Sequence, residues 1–319
     1  MEACQIENIL YAGIVGDALG VPVEFKKRDS YYLDDMTDSG TWEQPKGSWS
    51  DDTSFSLPLM ENLTEGGNYD QLMKKFDNYM FHNQYTPDDQ TFGIGNTCTK
   101  AIRNWSVNHY SALKSGDTSV YANGNGALMR LAPLAIHLMD EPDLQKRLKL
   151  TKNYTSLTHR HPRAIVGSYI YLEILHALLN GQPFRRVLET LPDKLTKALQ
   201  NQPDELAELP NYEAMFKSDF DTTLRQNIKS TGYVVDTLLT CTWCVLNSTS
   251  IDSAVILAVN LGDDTDTVAS ITATLASCEM LSDHISDEWK KQLRNQDLLK
   301  SIIEPFAKSE AKQDKSLIA

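Results

Sequence analysis

An all-α fold is predicted by three observations on the sequence. Apolar residues recur at helical spacing wherever a pattern can be read, alternating strand-like runs between turns are almost absent, and no fixed-period repeat suggests a solenoid. With 41% hydrophobic residues in 319, the chain can bury a core, which excludes disorder as the dominant state. No Gly/Ser/Pro-rich linker or low-complexity run interrupts it, so one domain is expected over residues 1–319.

The first stripe runs over 5–20 and closes with Gly16-Asp17-Ala18-Leu19-Gly20, followed by Pro22 and Glu24. The second helix is expected to begin at Ser50-Asp51-Asp52-Thr53 and to continue through Phe55, Leu57, Leu59 and Met60. Tyr69, Leu72, Met73, Phe76, Tyr79 and Met80 repeat at i, i+3, i+4 and i+7, and so do Ala127, Leu128, Leu131, Leu134, Ala135 and Leu138. Further stripes cover 163–179 and 184–199, and the polar stretch 200–217 reads as a long surface connection. In the stripe over 232–247, Cys241 and Cys244 form a CxxC with no second Cys/His pair at zinc-finger distance. Leu238, Leu239, Trp243, Val245 and Leu246 around them indicate two small core residues one turn apart. A stripe over 252–260 precedes Gly262-Asp263-Asp264-Thr265-Asp266-Thr267, which opens the small-residue helix Val268-Ala269-Ser270-Ile271-Thr272-Ala273.

Composition excludes several functions. Lys+Arg number 30 against 43 Asp+Glu, a net charge of −13, and no basic cluster is longer than Lys26-Lys27-Arg28. That balance argues against stable binding to nucleic acid, which requires cationic neutralisation of phosphates, and against an anionic membrane surface. No stretch reads as a membrane span of roughly 20 apolar residues. Five cysteines, and an N-terminus without the basic-then-apolar pattern of a signal peptide, lead us to expect a reducing, cytoplasmic setting.

Two acidic clusters stand at helix starts, where one Asp is enough to cap free N–H groups. Two in a row at Asp51-Asp52, and three in four positions at Asp263, Asp264 and Asp266, repel one another unless a cation lies between them. A hydroxyl and two carboxylates from each cluster are oxygen-only ligands, which favour Mg²⁺, Mn²⁺ or Ca²⁺. If the two helix starts face each other, a two-metal centre results. Spacing alone leaves both readings open, caps and metal centre. Gly93-Ile94-Gly95 and Asn123-Gly124-Asn125-Gly126 are turns whose backbone N–H groups can cradle a phosphate, although neither carries a Walker lysine or a dinucleotide fingerprint.

Taken in order, these segments resemble one family. Gly16-Asp17-Ala18-Leu19-Gly20 with Glu24, Ser50-Asp51-Asp52-Thr53, Gly124-Asn125-Gly126-Ala127-Leu128-Met129-Arg130 with Pro133, Thr158-His159, Gly232-Tyr233-Val234-Val235 and Gly262-Asp263-Asp264-Thr265-Asp266-Thr267 carry the likeness. With six motifs in register over about residues 6–281, the chain resembles the ADP-ribosylglycohydrolases, which include dinitrogenase-reductase-activating glycohydrolases and ADP-ribosyl-acceptor hydrolases. The resemblance implies a compact all-helical bundle with two Mg²⁺ or Mn²⁺ ions held by Ser50, Asp51, Asp52, Asp264, Asp266 and Thr267. It implies that Gly124, Asn125 and Gly126 wrap the diphosphate-ribose, with His159 beside the phosphates and Tyr233 against the nucleotide. Gly93 and Gly95 join the candidate substrate-binding residues, and Asp52 and Glu24 are the candidate acid–base residues.

The chain departs from the family pattern at several positions. Ser50 stands where relatives usually carry threonine, Asp263 replaces a glycine, and Gly93 stands where the dinitrogenase-reductase type has an aspartate beside the scissile linkage. Ala273 and Ser277 replace glycines of the last helix. The expected activity is hydrolysis of ADP-ribose from a modified acceptor, an arginine side chain on a protein or a small-molecule conjugate. Serine-linked ADP-ribose, O-acetyl-ADP-ribose, a nucleic-acid adduct and a non-enzymatic ADP-ribose-binding role stand as alternatives.

Overall fold

The computed structural model describes residues 1–311, and no strand occurs among them, only three isolated bridges. The helices begin with α1 (Ala3–Gly20), α2 (Asp51–Thr64), α3 (Tyr69–His82), α4 (Asn96–Ser106), α5 (Ala112–Ser115), α6 (Ala132–His137), α7 (Leu144–Ser156) and α8 (Pro162–Leu179). They continue with α9 (Phe184–Ala198), α10 (Pro203–Leu206), α11 (Val234–Leu246), α12 (Ile251–Val259), α13 (Thr265–Glu279), α14 (Asp287–Gln292) and α15 (Gln296–Glu310).

At the centre, α1 lies along α13, with α2, α12 and α15 also against α1. The two central helices approach backbone to backbone because their facing residues are small. A Cβ on Gly16 would lie 2.4 Å from the Ala269 carbonyl oxygen, and one on Gly20 would lie 2.3 Å from the Asp266 Cα. This close packing carries Asp17 and Glu24 to the first turn of α13. It also makes α1 apolar nearly all round, as a helix enclosed by protein must be. Ala3–Val23 is therefore long and apolar enough to pass for a membrane span, contrary to the expectation from sequence, yet 89% of its apolar 18-residue window is buried within the protein. Composition does not separate a core helix from a spanning one; the packing does.

Two expected segments differ in form. The stripe over 127–138 is broken into a 3₁₀ turn, Leu128–Arg130, and α6, since Pro133 lacks an N–H and fits only the first turn of a helix. The stretch 200–217 is no bare surface connection: it folds into α10 and a 3₁₀ segment, Leu209–Phe216, that buries Tyr212 and Met215. Cys241 and Cys244 lie buried in α11 as expected, and all five cysteines are free thiols. Glu173 on α8 is fully buried and paired with Arg147 on α7 and Lys194 on α9. The irregular segments before α2, α4, α6, α11 and α13 all contribute residues to one cavity.

Candidate active site

The floor of the cavity forms where α1, α2 and α13 meet. Asp17 accepts from the Ser50 N–H (2.8 Å), the Thr53 N–H (3.0 Å) and the Thr53 hydroxyl (2.6 Å), so a carboxylate from α1 caps α2 across the helix–helix contact. That cap fixes the rotation of α2 and the position of its acids. The Ser50 and Thr267 hydroxyls both donate to Asp52 Oδ2, at 3.2 and 3.1 Å, joining the starts of α2 and α13. Asp52 Oδ1 is buried and has no hydrogen-bond partner. Carboxylate oxygens of Asp17, Asp52 and Asp266 lie within 4.8 Å of one another, and so do those of Glu24, Asp264 and Asp266. Asp266 belongs to both groups. Asp51 belongs to neither, but it lines the cavity above them. The sequence-predicted ligands thus converge, and the structure adds Asp17, which was visible only as part of the Gly16–Gly20 motif.

Burial dominates the electrostatics. It pushes Asp17 up to about 6 against four opposing hydrogen bonds, and with the Asp264 charge it pushes Glu24 up to about 8. Burial, followed by the charge of neighbouring carboxylates, also drives Asp51, Asp52 and Asp266 well above the usual range, and burial raises Asp264. Among the described residues none of these carboxylates is ion-paired to a Lys or Arg, and Arg130 acts on Asp51 only through its field. An oxygen-only donor set with an unpartnered buried oxygen and no ion-pair partner fits a hard cation. Capping does not account for it: Asp264, at the N-cap of α13, makes no side-chain cap bond.

The glycine turn forms the wall. The Asn125 N–H donates to the Gly232 carbonyl (3.0 Å) and that of Val234 to Asn123 (2.9 Å), a short antiparallel bridge to the segment before α11. The amides of Gly124 and Gly126 are engaged by no acceptor among the described residues and remain available to an anion. Asn125 lines the cavity between the two glycines. Its side-chain amide donates to Asp264 (2.6 Å) and Thr237 (3.0 Å), tying the wall to the floor. Tyr233 stands at the N-cap position of α11, its hydroxyl accepts from Arg163 (3.0 Å), and it is not among the residues that line the cavity. At Gly95 a Cβ would meet open space, so the fold does not demand glycine there. Gly93 has φ 80° and faces Asp51, 3.2 Å from its Cβ position; a carboxylate there would be both strained and repelled.

Behind the wall lies Arg130, 1% exposed and without a carboxylate partner among the described residues. It donates to the Gly126 carbonyl, the Tyr154 carbonyl (3.2 Å) and the Thr158 hydroxyl (2.8 Å), and it sits over the rings of Phe55 and Phe76. Thr158 Oγ1 is in turn 2.8 Å from His159 Nδ1. An Oγ1 that accepts from Arg130 can direct its own proton to Nδ1, the arrangement in which Nε2–H is the donor on the cavity side. Burial, and secondarily Arg130, lowers His159 to about 3, so the ring is neutral. Phe25 and Tyr121 line the cavity too, with 65% and 93% of their surface exposed. Neither was legible in the sequence, where an isolated aromatic in a loop gives no sign of its neighbours.

The family model described as ADP-ribosylglycohydrolase matches residues 5–316. ADP-ribosylarginine hydrolase Tri1 of Serratia proteamaculans is 28% identical over 294 residues, covering 91% of this chain and 75% of that protein. The ADP-ribosyl-dinitrogen reductase glycohydrolase of Rhodospirillum rubrum is 26% identical over 287 residues, covering 88% and 86%. A solved structure described as an ADP-ribosylglycohydrolase-related protein complex has a TM-score of 0.78 at 23% identity, over 97% of this chain and 98% of that one, a likeness of fold.

Proposed function

The chain belongs to the ADP-ribosylglycohydrolase family, and on that premise we propose a metal-dependent hydrolase that releases ADP-ribose from a modified arginine side chain. The observation that carries this reading is one cavity of about 510 Å³ that joins the acidic floor to the glycine wall. Glu24, Asp51, Asp263, Asp264 and Asp266 line it, and no Lys or Arg does among the described residues. With Asp51, Asp264 and Asp266 compensated by metal, Asp263 is the carboxylate left in the lining to favour a cationic acceptor over a neutral hydroxyl. The Serratia relative's name points to the same linkage.

Ser50, Asp51, Asp52, Asp264, Asp266 and Thr267 are the residues that would hold two Mg²⁺ or Mn²⁺ ions, with Asp17 fixing the cap of α2 beneath them. Bound there, the ions supply Lewis-acid polarisation and charge compensation at the reacting sugar. The Gly124 and Gly126 amides and His159 Nε2–H bind the diphosphate, and the Arg130 guanidinium adds positive potential from behind. Glu24 lines the cavity, whereas Asp52 is 1% exposed beneath it. Glu24 is therefore our choice for the proton-handling carboxyl, its Oε2 oriented by the Trp42 indole N–H, and Asp52 is left as a ligand. Incubation with arginine-, serine- and nucleotide-linked ADP-ribose, with and without chelator, tests the reading. Release of free ADP-ribose from the arginine conjugate, lost in EDTA and restored by Mg²⁺ or Mn²⁺, is the expected result; cleavage of the serine conjugate alone would replace it.

A further inference from the structure

Phe25 has φ 63°, a left-handed conformation that bulky residues adopt rarely and at a cost. Its ring is 65% exposed, so burial does not offset the strain. The conformation is held by the loop before α13: the Phe25 N–H donates to the Asp263 carbonyl (2.6 Å), and the Asp263 N–H donates to that of Lys26 (3.0 Å). Asp263 is itself left-handed, at φ 59°, next to Gly262 at 79°. This explains the glycine usual at that position in the family pattern. Aspartate tolerates the same conformation and adds a carboxylate.

Together the two strained turns set the Phe25 ring and Asp263 on the rim of the cavity, beside Glu24. The ring packs edge-on to Trp42 (centroids 6.0 Å apart), which in turn packs on Phe92 (5.7 Å). From the glycine turn, contacts run through Asn125 to Asp264 and on through Asp266, Glu24 and Trp42 to this aromatic row. The row is thus joined to the glycine turn through the carboxylates of the floor.

We propose that Phe25 and Asp263 form the acceptor subsite, the ring face receiving a planar guanidinium and the Asp263 carboxylate supplying the opposite charge. The proposal rests on the arginine reading above and names the residues that select that linkage. The face of an aromatic ring is electron-rich and attracts a guanidinium stacked on it, while a serine-type acceptor gains nothing from either group.

The test uses Mn²⁺-loaded parent, Phe25→Ala, Phe25→Tyr and Asp263→Gly, with kcat and KM on arginine- and serine-linked ADP-ribose and calorimetric Kd for free ADP-ribose. Phe25→Ala should raise KM for the arginine conjugate about 5–10-fold, with Phe25→Tyr within about twofold of the parent. Asp263→Gly should raise the same KM about threefold, more at low salt. Free ADP-ribose should bind all four proteins equally. An unchanged KM in Phe25→Ala, or an equal loss for free ADP-ribose or for the serine conjugate, would overturn the subsite alone. A parent inert on the arginine conjugate and active on the serine conjugate would instead overturn the arginine reading, and the subsite with it.

Discussion

Glu173 and the carboxylates at the starts of α2 and α13 are equally buried, but their surroundings are opposite. Glu173 receives Arg147 Nε and Nη2 and Lys194 Nζ, each at 2.7 Å. Burial pushes its carboxyl up, but these partners outweigh burial and hold it below the usual value. The Asp17, Glu24, Asp51, Asp52, Asp264 and Asp266 set has no such partner, and every member is raised. The fold supplies a counter-charge where a buried carboxylate is structural. Where it withholds one from six neighbours, the site is left fit for a cationic ligand.

The largest effect expected from breaking this contrast is on turnover. Asp266 is shared by both carboxylate groups, so Asp266→Asn should lower ADP-ribose release more than about 100-fold, beyond what the loss of an outer partner of a metal ligand costs. Glu173→Gln should leave turnover per folded molecule intact yet cost about 3 kcal/mol in chemical denaturation, because it leaves the buried Arg147 without its carboxylate. A Glu173→Gln protein as stable as the parent would remove the contrast.

The pH dependence should differ in the same way. In the ion-free protein, folded Asp17 and Glu24 titrate at about 6 and about 8, above unfolded values near 4. Between those limits the native state binds more protons than the unfolded state. Stability is therefore greatest below that window and falls as pH rises through it, by about 1.4 kcal/mol per pH unit for each group concerned. Melting of the ion-free protein from pH 5 to 8 should show this fall, and added Mg²⁺ should flatten it.

Smaller effects sharpen the description of the wall. Thr158→Val should release the His159 tautomer, visible in its imidazole ¹⁵N shifts, and weaken ADP-ribose binding about tenfold, the cost of roughly one hydrogen bond to a charged group. Thr158→Ser should restore both. Gly124→Ala should have the least effect on folding, since its Cβ would meet neighbours only at 3.6 Å. Gly126→Val is a poorer probe of diphosphate approach, because Cys98 and His159 already crowd that position at 3.0 and 3.2 Å.

Much of this was legible in the sequence where a local rule applies. Helical period gave the long helices, and repulsion between adjacent acids pointed to the two clusters. What escaped depends on contacts distant in the chain. Asp17 reads as an ordinary residue of an apolar helix until α1 is packed on α13. The strain at Phe25 is set by a carbonyl at Asp263, and the proton on His159 by Arg130 and Thr158. The backbone pairing of Tyr233 with the glycine turn is likewise a contact that no side-chain rule reports. α1 was read correctly as a helix, but only its enclosure distinguishes it from a membrane span.

Thermal melting of parent and Asp266→Asn, each with and without Mg²⁺ or Mn²⁺, tests most directly whether the uncompensated carboxylates hold cations. In the absence of ions, Asp266→Asn should be as stable as the parent or more so, since it removes one charge from a repelling set. Metal at about 100 times its Kd should stabilise the parent by about 2.7 kcal/mol for each ion bound, and the variant should lose most of that rise. A variant that melts with the full metal-induced shift of the parent would show that Asp266 is no ligand, and the six carboxylates would need another partner.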